Sequence, residues 1–140
     1  MSEPGPAVQG VVFAHGAVAA ALVDAVSQIT GVRDALVPLS NEQVAPTVLA
    51  ERLREAAGAG PTLIFTDLRS SSCSVVARRA VEPDTRWAVV CGANLPMLLD
   101  YVFNRTLPLD VLVARLVDRG REGVLAVLQP SPDVDRADPG

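Results

Sequence analysis

Lysine is absent from this chain of 140 residues, so all twelve of its basic side chains are arginine. That excludes Schiff-base chemistry and removes the cation on which a P-loop depends. Histidine occurs once, at position 15, and the two cysteines, Cys73 and Cys91, lie far from it in sequence. Such a set has no zinc-ligand spacing and no disulfide framework, so neither a metal centre nor a stapled scaffold is expected. Aromatic residues amount to 4%, which leaves no stacking platform for single-stranded nucleic acid. The formal net charge is −4 and the arginines are dispersed, so there is no cationic face for a duplex either. No apolar run approaches the roughly 20 residues of a membrane-spanning helix, which argues against direct membrane insertion. The opening Met1-Ser2-Glu3-Pro4-Gly5-Pro6 does not read as a signal peptide, and unpaired thiols suit a reducing compartment, so the expected location is cytoplasmic. Neither a glycine-rich dinucleotide fingerprint nor a Gly-x-Ser-x-Gly elbow occurs, and no cofactor is implied.

What remains is a chain with 49% hydrophobic and 20% charged residues, enough apolar surface to offset the entropy of ordering one core. The length sets the domain count at one. Residues 1–8 read as a lead-in, 9–128 as the domain, and 129–140, rich in proline and aspartate, as a solvated tail.

Short apolar runs at 11–14, 35–39, 61–66, 87–91 and 124–128 are rich in Val, Leu and Ile and show no clear polar alternation. Runs of this kind suit strands covered on both faces, as in a parallel sheet, with Pro38 marking an edge. Between them, Val18, Leu22, Val26 and Ile29 predict the inner face of a first helix that ends at Gly31. Ser40-Asn41-Glu42-Gln43 reads as a capping box for a second, although Pro46 favours a regular start there, with Leu49, Leu53 and Ala57 turned inward. A third helix runs from Asp67 through Val75, Val76 and Ala80. A fourth starts near Asn94 and buries Leu95, Leu98, Leu99 and Val102, and a fifth spans 108–119 before Gly120. The order βαβαβαβααβ predicts an α/β three-layer sandwich around a mainly parallel open sheet, order 2-1-3-4, with one further strand at the end.

Ligands of open α/β sheets bind beyond the carboxyl ends of the strands, where adjacent crossovers part to opposite faces. His15 follows the first strand and Asp67 the third, so a sheet beginning 2-1-3 brings them face to face. A carboxylate that bonds one ring nitrogen fixes the tautomer and leaves the other as nucleophile. The plainer roles are a half-buried histidine with its hydrogen bonds satisfied, and a helix-capping aspartate. The segment Leu68-Arg69-Ser70-Ser71-Ser72-Cys73-Ser74 adds amides, hydroxyls and a cation at a helix start, groups that favour a phosphate, although a serine run there is more often a simple cap. Cys73 reads as a small packed residue and Cys91 as core.

Four pieces, Val11-Val12-Phe13-Ala14-His15-Gly16, Thr66-Asp67-Leu68, Gly92-Ala93-Asn94-Leu95-Pro96-Met97-Leu98-Leu99 and Arg121-Glu122-Gly123-Val124, occur in an order that resembles the mannose/fructose-type IIA components of the bacterial phosphoenolpyruvate-dependent sugar phosphotransferase system. The resemblance implies that His15 accepts a phosphoryl group through Nε2 from the phosphocarrier protein HPr and passes it to a IIB domain that phosphorylates incoming sugar. It also implies that Asp67 holds Nδ1–H while amides near Ser72 cradle the phosphoryl oxygens, and it makes a homodimer whose last strand, 124–128, is exchanged with the partner's sheet an expectation; with the loop's own residues, the candidate phosphate contacts are Arg69, Ser71 and Ser72. The chain departs from the family after Asp67. Where relatives usually have an apolar or aromatic residue, two glycines, a serine and a proline, it has Arg69, Ser70, Ser71, Ser72 and Cys73, of which only Ser72 matches. Serine in place of glycine narrows a phosphate loop or shifts it, and Arg69 is placed to compensate by pairing with phosphate. Two alternatives therefore stand beside the relay: a regulatory partner-binding module with impaired phosphotransfer, and the related phosphocarrier subunit of a dihydroxyacetone kinase.

Overall fold

The computed structural model describes residues 5–81 and 86–129. The expected tail from Pro130 onward lies outside them, as do the first four residues. Nine elements follow in chain order: β1 (Gln9–Ala14), α1 (Val18–Thr30), β2 (Leu36–Ser40), α2 (Pro46–Ala57), β3 (Thr62–Thr66), α3 (Ser72–Val81), β4 (Trp87–Cys91), α4 (Leu95–Asn104) and α5 (Leu109–Glu122). The strands form one parallel sheet in the order β2-β1-β3-β4, with β2, which carries Pro38, on an edge.

The sheet separates two cores, and that is why its strands read as unbroken apolar runs. Along β1, Val12 and Ala14 face a core shared with α1, α4 and α5, while Val11 and Phe13 face a second core under α2 and α3. On β3, Leu63 and Phe65 join the first core and Ile64 the second. Alternation is present, but both faces are apolar. Tyr101 of α4 anchors the first core. Its ring meets Phe65 edge-on, with centroids 5.5 Å apart. Its hydroxyl lies 2.5 Å from the carbonyl oxygen of Val8 and 3.1 Å from that of Ala35, closing the amino-terminal ends of β1 and β2 over the ring. Gly10 makes this approach possible, because a Cβ there would stand 2.6 Å from the tyrosine ring. Burial pushes the phenol up to about 12, so it stays a neutral donor.

Local expectations are refined in four helices. In α1 the buried face is Ala19 and Val26, with Leu22 and Val23 packed against it, whereas Val18 and Ile29 are exposed, Ile29 to 61%. Small Ala19 lets the helix lie close to the sheet and turns the larger flanking side chains toward the rim. The helix α2 begins at Pro46, the second of the two starts the sequence offers, and not at Ser40, because Pro lacks the N–H that an interior position must donate and suits the first turn. In α5 the helix runs through Gly120 to Glu122. This glycine is a contact point with α4: a Cβ would stand 2.6 Å from Met97 Cε, and the Gly120 carbonyl accepts from Asn94 Nδ2 at 2.9 Å. In α4 the fully buried set is Met97, Leu98, Tyr101 and Val102, with Leu95 and Leu99 half-buried beside it.

The fifth expected strand, 124–128, is not part of this sheet. Residues 124–129 form no strand in the single chain, and Val124, Leu125, Val127 and Leu128 are 74–87% exposed. A strand exists only as part of a ladder, and this segment leaves α5 without reaching a partner. Among the described residues no helix is long and apolar enough to cross a membrane.

Candidate functional site

The site lies where β1 and β3 run out side by side. Phe13 is paired with Thr66, so the chain beyond each strand emerges into the same crevice, and α1 and α3 leave it on opposite faces of the sheet. His15 sits on the turn between β1 and α1. Gly16, at φ 53°, supplies the left-handed backbone that lets the chain swing away from the ring. Asn41, just past β2, braces this turn: its side-chain oxygen accepts from the Gly16 N–H at 3.3 Å, and its own N–H donates to the Ala14 carbonyl at 3.3 Å. Asn41 belongs by sequence to a capping box, and its bracing role depends on β2 lying next to β1, which no spacing announces.

Asp67 grips His15 twice. One carboxylate oxygen accepts from the histidine's backbone N–H at 3.1 Å, and the two oxygens lie 2.9 and 3.1 Å from Nδ1. The pair is half-open to solvent, with the imidazole 38% and the carboxylate 16% exposed. Burial alone would raise the carboxyl's affinity for a proton. The hydrogen bonds from the His15 backbone and ring, with the charge of the imidazole, outweigh it and hold Asp67 below the usual carboxylate range. An ionised Asp67 selects the tautomer with the proton on Nδ1. Nε2 then carries the free lone pair.

The segment after Asp67 wraps into α3. Ser71 caps that helix: its hydroxyl accepts from the Ser74 N–H at 3.1 Å and donates to the Leu68 carbonyl at 3.1 Å, and both of its hydrogen-bonding roles are thus used within the turn. Ser72 opens the helix and is exposed. As first-turn residues, Ser72 and Cys73 have N–H groups with no helical carbonyl to reach, the kind of position at which helices can bind anions. Arg69 is exposed on the same loop and makes no ion pair among the described residues. The fold thus brings Arg69, Ser71 and Ser72 into the loop that follows Asp67, on the side of the crevice where α3 begins.

Cys73 is buried, as expected, but it is not remote from the pair. Its Sγ, a ring nitrogen of His15 and a carboxylate oxygen of Asp67 all lie within 4.8 Å of one another. Burial, reinforced by the negative charge of Asp67, pushes this thiol up to about 11. Cys91 differs from expectation, since it is half-buried at the end of β4 with its sulfur 3.3 Å from the Ser74 hydroxyl. The end of β4 is tied to that of β3 by the Ala93 N–H, which donates to the Thr66 carbonyl at 2.9 Å.

The fold is shared with known proteins. The family model described as EIIA-man, PTS system fructose IIA component, matches residues 9–114. A search of curated proteins gave no match. Among solved structures, the phosphotransferase system component EIIA from Streptococcus agalactiae superposes with a TM-score of 0.79 at 22% identity, covering 85% of this chain and 96% of that one. The mannose/sorbose specific IIA subunit from Enterococcus faecalis gives 0.76 at 23% identity, covering 90% and 98%. The IIA protein associated with the fucose utilization operon of Streptococcus pneumoniae gives 0.69 at 15% identity, covering 89% and 96%. At these identities the structures establish the shared fold, while the family match spans most of the domain, from the start of β1 into α5. The chain belongs to the fructose/mannose IIA component family of the phosphotransferase system.

Proposed function

We propose that this protein is a cytoplasmic phosphoryl relay in which Nε2 of His15 takes a phosphoryl group from phosphorylated HPr and hands it to a IIB domain. The observation that carries the reading is the double grip of Asp67 on His15, at the backbone N–H and at Nδ1. In the accepting step the Nε2 lone pair forms a bond to phosphorus as the bond from phosphorus to the donor nitrogen breaks. The proton on Nδ1 stays in place, shared with Asp67, and the positive charge that grows on the ring is met by that carboxylate. Arg69 and the first-turn amides of α3 would balance the charge of the phosphoryl oxygens. The return step to the IIB domain reverses the same bonds. The exposed apolar segment from Val124 to Leu128 is the portion that would complete a homodimer by pairing with the partner's sheet.

Phosphoenolpyruvate, enzyme I and HPr together are expected to label the chain with an acid-labile phosphoryl group, and His15→Ala is expected to abolish the label. A His15→Ala protein that still labels would overturn the relay. One feature supports a second reading, a regulatory module: Ser71, in the loop that departs from the family pattern, spends its hydroxyl on capping α3. Unlabelled wild-type protein that nonetheless binds HPr or a IIB domain would favour that reading.

A further inference from the structure

We propose that His15, Asp67 and Cys73 together bind a divalent transition-metal ion, with zinc the occupant the donors suit best, and that the bound ion silences the histidine. The donors come from three places in the fold: the turn after β1, the end of β3, and the first turn of α3. They nevertheless converge, one nitrogen, one oxygen and one sulfur within 4.8 Å of one another. Around tetrahedral zinc, with bonds of about 2.0–2.3 Å, neighbouring donors sit roughly 3.3–3.8 Å apart, so the cluster needs a contraction of at most about 1–1.5 Å. Rotation of the Cys73 and His15 side chains is of that order. The donor set decides the class of ion. Magnesium and calcium seek six or more oxygens, whereas a thiolate with an imidazole selects zinc and its neighbours. Three protein ligands leave a fourth position, and the 38% exposure of His15 opens it to water.

Nδ1 is the nitrogen that faces Asp67, and therefore the one a shared ion would reach. Coordination there needs the Nδ1 lone pair, so the ring's proton moves to Nε2. The thiol of Cys73 gives its proton to solvent and binds as thiolate, one proton released for each ion taken up. Nε2 is then an N–H group without a lone pair, and Asp67 serves the metal instead of the ring. This consequence, though not the metal site itself, rests on the relay proposed above.

The test uses the tag-free full chain and cobalt(II) as the spectroscopic substitute for zinc. Wild-type protein and Cys91→Ala are expected to show a near-ultraviolet sulfur-to-cobalt charge-transfer band that zinc displaces. Cys73→Ala, Cys73→Ser and His15→Ala are expected to lack it, with circular dichroism confirming that each is folded. Absence of the band from wild-type protein, or its persistence in folded Cys73→Ser, would overturn the site. Labelling through HPr is then run with and without zinc. For each protein the rate with zinc is divided by its own rate without zinc: this ratio is expected to fall in wild-type protein and to stay higher in Cys73→Ala, and any effect of zinc on the other components enters both ratios alike. Equal resistance of the two proteins to zinc overturns the silencing. A chain that never labels but shows the Cys73-dependent band overturns the relay and supports the metal site.

Discussion

Replacing Asp67 by asparagine tests the central pair with the least change in shape. The carboxylate accepts from two donors of one residue, the His15 backbone N–H at 3.1 Å and the ring at 2.9 Å. Both bonds fall on Oδ2, so an amide oxygen placed there could still accept from both, but the NH2 group would then replace Oδ1, 3.1 Å from Nδ1, and oppose the ring's own N–H. If its NH2 faces the ring, Nδ1 becomes the acceptor and the proton sits on Nε2, where it blocks attack on phosphorus. The charge is lost as well. Two unit charges about 4 Å apart interact by about 1 kcal/mol in water and about 4 kcal/mol at an effective dielectric of 20. With the imidazole 38% and the acid 16% exposed, the pair lies between these limits, at about 2 kcal/mol. That alone slows phosphoryl acceptance about 30-fold. The tautomer error multiplies it, up to the roughly 10⁴-fold seen when the orienting aspartate of a serine-protease triad becomes asparagine. Single-turnover transfer from phosphorylated HPr, followed by rapid quench, measures the rate. A variant that is folded and transfers within about threefold of wild type would refute the assignment of Asp67 as the group that orients and charges His15.

Three further outcomes follow from the packing and the electrostatics. Gly10→Ala forces a Cβ to 2.6 Å from Tyr101 Cζ and 2.7 Å from Leu36 Cδ2, and should destabilise the fold by about 1–3 kcal/mol in urea titration. Gly120→Ala, whose clash is with the flexible end of Met97, should cost less; the reverse ranking would contradict the described contacts. Tyr101→Phe strips the buried Val8 and Ala35 carbonyls of their shared donor and should cost about 1–3 kcal/mol, read from the same titration. Because Asp67 is held below the usual carboxylate range when folded, its contribution to stability is complete above the unfolded-state value and is lost as pH falls through the folded one. The stability difference between wild type and Asp67→Asn should therefore shrink on acidification from about pH 6 to about pH 3; a difference that stays constant would show that ionisation of Asp67 contributes nothing.

How far the sequence could be read depended on whether a feature is local. Strands β1 to β4 were legible because both faces of the sheet are covered, which leaves Val, Leu and Ile in runs that few other environments demand. The segment after Gly123 has the same composition, yet it forms no strand in the single chain, since composition records a preference for burial and says nothing about who supplies the neighbouring ladder. In α1 the spacing of Val18, Leu22, Val26 and Ile29 marks an apolar stripe, but the helix settles on Ala19 because close approach to the sheet outweighs side-chain size, a choice made by tertiary packing.

The same distinction separates the parts of the site. His15 and Asp67 could be paired in advance because each directly follows a strand and the parallel order 2-1-3 makes those ends neighbours, although 52 residues separate them. Strand order is a global property, but the sequence of alternating elements constrains it to few options. Cys73 had no such signal. Whether its sulfur faces the pair or the interior depends on the path from Leu68 to Ser71, where the Ser71 hydroxyl bonds the Leu68 carbonyl and the Ser74 N–H and sets the rotation of the first turn of α3. The serine expected as a phosphate contact thus directs the neighbouring thiol, and a substitution in this loop would alter the first-turn amides of α3 and the sulfur's position together.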